Sequence, residues 1–289
     1  MPPRRRLLSA VLLAAALPLA PTPAAFAQTT AAPTLRTPDD PTLRSPDDIV
    51  VEGEHLTEKE AHKRASAFVR TLGVAPGIYA DDSVARWTKK LCPRALGLSD
   101  EHAALVEGWF RDTARSTGAK VADGKCETNV VLLFVDDGPH FIKLFKSRYP
   151  GQFADMSGPD IRDLVERDMP VRWWYSVRRS SGGLGFTAPQ SVRNIEGATI
   201  VIDVNDAEGV TLRAVTDYAA FVALSGIRIR AEPQQKSILG LFDDRQGKRE
   251  LTLWDRRFLT ALYSIPHERK GRYQRGKLVG ALARDDAAE

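Results

Sequence analysis

The chain is poor in the side chains that carry most metal and thiol chemistry. Its 289 residues include two cysteines, three methionines and five histidines. Cys92 and Cys126 are too few and too widely spaced for a C-x-x-C zinc site or a dense disulfide scaffold. His55, His62, His102, His140 and His267 stand singly, so none pairs with another at the i, i+4 spacing that sets two imidazoles on one helical face. The G-x-S-x-G elbow of a serine hydrolase is missing. Beyond the first segment, no apolar run approaches the roughly 20 residues that cross a bilayer. Hydrophobic content of 43% with 27% charged residues excludes wholesale disorder and leaves an ordinary globular chain.

An excess of one charge is also missing once the first segment is set aside. Arg4, Arg5 and Arg6 precede the apolar run Leu7 to Leu17, then Pro18, Pro21 and Pro23, then Ala25-Phe26-Ala27. A basic n-region, a short apolar h-region and an A-x-A site make a secretory signal pattern, with cleavage expected after Ala27. Arg4-Arg5-x-Leu7-Leu8 also fits a twin-arginine signal, which leaves the export route open. Three of the 41 Lys and Arg lie in those 27 residues and none of the 37 acids does, so 38 basic side chains face 37 acidic ones afterwards. The formal +4 of the whole chain is therefore no argument for a nucleic-acid partner. The expected location is periplasmic or secreted, with no stable membrane span after cleavage. In that compartment Cys92 and Cys126 are expected to form a disulfide; a catalytic thiol would need a neighbouring His that nothing nominates.

Residues 28–54 contain an octapeptide twice, Pro33 to Asp40 and Pro41 to Asp48, and are expected to form a flexible Pro/Asp-rich linker. Residues 55–285 carry the folded domain. Thr57 and Glu60 form a capping box ahead of Ala61, Ala65, Phe68, Val69 and Leu72 at helical spacing, closed by Gly73. A strand is predicted at Val84 to Trp87, and a helix from Ser99 to Gly118 with Ala103, Val106, Phe110 and Ala114 on one face. Thr128 to Val135 is a β-branched run expected to be a strand buried on both faces. Short helices are predicted at His140 to Arg148 and Pro159 to Asp168, and strands at Val171 to Val177 and Ala198 to Val204. An apolar helix from Leu212 to Leu224 follows. Thr252 to Tyr263 is predicted as an amphipathic helix burying Leu253, Trp254, Phe258, Leu259 and Leu262, and Arg269 to Ala283 as the last helix. Alternating strands and helices over this length predict one α/β (α+β) domain with a mixed sheet and a central helix.

This order, with Ser237-Ile238-Leu239-Gly240-Leu241-Phe242 and Leu251-Thr252-x-x-Asp255-x-x-Phe258-Leu259-x-x-Leu262-Tyr263, resembles the zincin metalloprotease fold. It is similar in particular to an exported bacterial family of unknown function that lacks the HExxH zinc motif. The resemblance covers about two thirds of the chain after the signal and implies fold rather than activity. By that likeness, the positions of His, Glu and His in the zinc helix are Asp217, Tyr218 and Phe221, and Leu224 and Ile227 stand at the Gly and third-ligand positions. It thus implies a relative with no zinc and no other cofactor.

The remaining signals are local. Gly183 to Ala188 fits G-x-G-x-x-A, but Pro189 follows where a helix should start, which favours a hairpin loop. Asp203 to Gly209 resembles a calcium loop with its Gly one place late and Ala214 at the Glu position. The basic residues from Arg269 to Lys277 read as a solvated helical face. Arg172-Trp173-Trp174-Tyr175, followed by Arg178 and Arg179, is the most unusual stretch. On a strand Trp173 and Tyr175 face one side and Arg172 and Trp174 the other. Arg172, Trp174 and Arg178 are the candidate binding residues, for an envelope protein, a peptide or a glycan. The expected function is a non-catalytic zincin-like binding or envelope-associated module. The alternative is a peptidase-like periplasmic hydrolase using Asp217, Tyr218 and Asp203 beside the aromatic strand.

Overall fold

The computed structural model describes residues 57–72, 82–181, 191–231, 236–243 and 250–286. The signal segment, the repeat linker and the Gly183 to Ala188 segment lie outside them. In chain order the elements are α1 (Glu58–Thr71), β1 (Arg86–Trp87), β2 (Pro93–Leu96), α2 (Asp100–Ser116), β3 (Val130–Val135), α3 (Gly138–Arg148), α4 (Gly158–Glu166), β4 (Val171–Ser181), β5 (Ser191–Asp203), α5 (Leu212–Ser225), α6 (Leu253–Ser264) and α7 (Gly271–Asp286), with 3-10 turns at Pro150–Phe153 and Ile238–Gly240. Six of the helices begin on a side-chain cap. Thr57, Ser99, Asp137, Ser157, Thr211 and Thr252 each accept the amide three residues on, which satisfies a donor that the first helical turn leaves free.

β5 organises a mixed sheet. Along one side it pairs in parallel first with β1, Trp87 opposite Ile195, and then with β3, from Val130 opposite Ala198 to Val135 opposite Asp203. β4 runs antiparallel along its other side, and β2 lies parallel outside β3. The β4–β5 register moves from Ser176 opposite Gly197 to Val177 opposite Ile195, so Glu196 is an extra residue in β5.

One face of the sheet carries Trp173 and Ile200 and receives α5. Every residue from Ala214 to Ser225 is buried, the pattern of a helix covered all round rather than on one stripe. Phe221 meets Phe258 of α6 at 6.0 Å, and Phe68 of α1 stands edge-on to Trp254 and Phe258 at 5.2 and 6.1 Å. α7 then packs on α1 and α6. On the opposite face, Phe145 of α3 and Phe153 of the first 3-10 turn cover Trp174 at 5.7 and 5.0 Å.

Several boundaries differ from those predicted. β4 extends to Ser181 and β5 begins at Ser191, because their polar flanking residues are held by pairing with each other. β2 is a further strand, four residues long and opening on Pro93, which suits a sheet edge where an amide hydrogen is dispensable. β3 is not buried on both faces: Val130, Leu132 and Phe134 are buried, whereas Val131, Leu133 and Val135 are only partly so. Leu253 is 51% exposed, since as the first residue of α6 it precedes the buried stripe. Cys92 and Cys126 form the disulfide, with Cα atoms 6.0 Å apart. No helix among the described residues is long and apolar enough to cross a membrane.

Candidate functional site

The central helix holds its polar residues inside. Asp217 is fully buried and accepts from Thr113 Oγ1 of α2 at 3.1 Å and from Arg213 Nε one turn back at 3.2 Å. The Tyr218 ring lies edge-on to Trp173 at 6.4 Å and to Phe242 at 5.2 Å, and burial pushes its hydroxyl well above the ordinary phenol pKa. Phe221, Leu224 and Ile227 are wholly buried. The same helix ends inside the protein, where its last carbonyls need donors. Tyr175 Oη donates to Val222 O, Trp87 Nε1 to Ala223 O at 2.8 Å and Tyr263 Oη to Leu224 O at 2.9 Å. Trp173 Nε1 donates to Ile227 O just beyond, at 3.1 Å. The aromatic residues of β1, β4 and α6 thus seal the helix end.

Asp203 belongs to a different neighbourhood. Its Oδ2 accepts from Gly138 N at 2.7 Å, and its Oδ1 from Asn205 N and Asp206 N at 3.0 and 3.2 Å, so it joins the start of α3 to the loop after β5. Asp203, Asp217 and Tyr218 therefore contact three separate groups of residues. Arg172 is 1% exposed and reads main-chain carbonyls around the end of α4: Nε donates to Leu164 O at 3.2 Å, Nη1 to Met169 O at 2.6 Å and Nη2 to Arg167 O at 3.1 Å. Burial lowers the pKa of this guanidinium, and Asp203 and Asp206 act against that fall. Trp174 is buried, whereas Arg178 is exposed and pairs with Glu196 at 3.2 Å. The three candidate binding residues share a face of β4 without converging on one point. Among the described residues, no three His, Cys, Asp or Glu side chains gather as a metal cage.

One open feature lies on the sheet face away from α5. A cleft of about 520 Å³ is floored by Val131, Thr199 and Gly197 and walled by Trp174 and the Cys92–Cys126 disulfide. Its polar rim is a charge cluster: Lys89 Nζ meets Glu196 Oε2 at 2.6 Å, and Arg178 meets the same oxygen. Asn129 at the floor is fixed, accepting from Cys92 N at 2.8 Å and donating to Lys90 O at 2.9 Å. This opening leaves Val131 of β3 only partly buried. Glu196, Lys89 and Asn129 were not signalled by the sequence. They are far apart along the chain, and the bulge that turns Glu196 to the cleft appears only when β4 and β5 are paired.

No family model, no curated protein and no solved structure matches the chain.

Proposed function

We propose that the chain is an exported, non-catalytic binding module on a zincin-like scaffold, with the cleft over Thr199 as its ligand site. The observation that carries this reading is the contrast between the two faces of the sheet. On one, Asp217, Tyr218 and Phe221 are enclosed within the packed helix, which supports loss of the zinc chemistry of the resembled fold. On the other, an open cleft offers an apolar wall at Trp174 and the disulfide beside fixed polar groups at Asn129 and Glu196. Such a mixture suits a short peptide or glycan segment, which presents both apolar and hydrogen-bonding edges.

Two measurements test the proposal. Protein purified from the periplasm is expected to hold far less than one equivalent of zinc, and one equivalent would overturn the reading. Thr199→Trp, which fills the cleft from its floor, is expected to weaken peptide or oligosaccharide binding by at least about tenfold. Equal binding by this variant would move the ligand site elsewhere, and the two ligand panels separate the peptide from the glycan.

A further inference from the structure

A second cleft, of about 290 Å³, lies at the outer edge of β4, between the segment leading into α4 and the turn that leaves α5. Three guanidinium groups line it. Arg179 and Arg193 are directly opposite each other on β4 and β5, and Arg228 comes from the turn after Gly226. Like charges set opposite one another across a sheet destabilise it, so this pair needs a compensating anion or a tolerated cost.

The residues around them do not supply that compensation directly. Among the described residues none of the three arginines forms an ion pair, and Arg193 Nε is enclosed with no hydrogen-bond partner. Two acids also line the cleft, and both have other partners. Asp155 Oδ2 accepts from Val177 N at 3.0 Å; Asp160 is held by Ser157 Oγ at 2.6 Å and by Arg230 at 3.2 Å. Burial and then Arg179 lower the pKa of Arg193, with Arg228 adding to the fall, while Asp82 and Asp155 oppose it. Cations are also favoured near a helix C-terminus. Here, however, the carbonyls of Val222, Ala223 and Leu224 are taken by Tyr175, Trp87 and Tyr263, and none of the three arginines donates to them.

We propose that Arg179, Arg193 and Arg228 form a binding site for a tetrahedral oxyanion, the phosphate or sulfate group of an ester. A planar carboxylate presents one edge to one guanidinium fork. Donors that arrive from two strands and a turn instead match an anion with oxygens in several directions. The cleft is larger than the anion itself, and Met156 and Val177 leave an apolar wall for the organic part of the ester. The site stands whether or not the cleft over Thr199 binds anything.

The test is calorimetric titration of the full chain with inorganic phosphate and with sulfate. Saturable binding is expected, weakened at least about tenfold by Arg228→Gln and by Arg193→Gln and unchanged by Lys146→Gln on α3. Arg228 is exposed, so its variant keeps the fold if Arg193→Gln does not; circular dichroism checks both. The more tightly bound ion distinguishes phosphate from sulfate esters. No saturable binding of either ion, or equal affinity in a folded Arg228→Gln protein, would overturn the proposal.

Discussion

His267 is held neutral by its neighbours. It is 8% exposed; its Nδ1 accepts from Arg86 Nε at 2.9 Å, which leaves Nε2 to donate to Asn194 Oδ1 at 3.0 Å. Burial, and then the Arg86 charge, lower its pKa from 6.5 to about 4. Between those values the unfolded chain binds a proton that the folded chain does not. The contribution to stability is therefore complete above about pH 6.5 and is lost as the pH falls through about 4, amounting to up to about 3 kcal/mol. His267→Gln, which can keep a donor and an acceptor, should flatten this part of the stability–pH curve in urea unfolding; an unchanged slope would contradict the assignment. Asp255 ties two elements together. Fully buried, it accepts from Ser237 Oγ, Ile238 N, Thr252 N and Thr252 Oγ1, all between 2.6 and 2.9 Å, and so fastens the 3-10 turn to α6. Asp255→Asn turns an NH2 group toward those donors, and a loss of about 2 to 4 kcal/mol is expected in denaturant unfolding. At this scale the capping box of Thr57 and Glu60 was legible, because its partners are three residues apart. The surroundings of Asp217 were not, because its partner Thr113 is supplied by another helix.

The elements owe much of their placement to contacts that no local pattern displays. The apolar run of α5 from Leu212 to Leu224 was readable, but the three aromatic donors that close its end lie on β1, β4 and α6. Tyr263→Phe keeps the ring and removes one donor, leaving Leu224 O buried and unsatisfied. A cost of about 1 to 2 kcal/mol is expected from thermal or denaturant unfolding. Gly271 provides a sharper contrast. As the first residue of α7, it should by propensity alone be improved by alanine, by about 1 kcal/mol. An added Cβ would instead lie 1.9 Å from Asp82 O, too close for any packed atom. Gly271→Ala is thus expected to destabilise, and a raised melting temperature would show that α7 yields at no cost. The missed β2 strand and the short predictions for β4 and β5 have a related cause. Arg178 to Ser180 are polar and exposed, and β5 holds them in strand geometry by hydrogen bonding rather than burial.

For the molecule as a whole, the disulfide closes a loop that local interactions already hold in place. The pairing of Cys92 with Cys126 was readable, whereas the cleft was not, since it is assembled from β3, β4, β5 and the segments near both cysteines. The Cys92–Cys126 bond spans 34 residues and encloses β2 and α2. Chain entropy gives such a loop about 3 to 4 kcal/mol, acting on the unfolded state. Native contacts near the bond do not depend on it. Asn129 holds Cys92 N and Lys90 O, and Leu91 pairs with Val121 through Leu91 N to Lys120 O at 2.8 Å and Ala122 N to Leu91 O at 2.9 Å. Reduction is therefore expected to leave the folded state largely intact while freeing the unfolded chain to expand. Urea unfolding with and without reductant should show a lower midpoint together with a steeper m-value, because more surface becomes exposed on unfolding. Thiol labelling of unreduced exported protein should find no free cysteine. Two labelled thiols, or identical unfolding curves, would mean that the bridge does not constrain the chain.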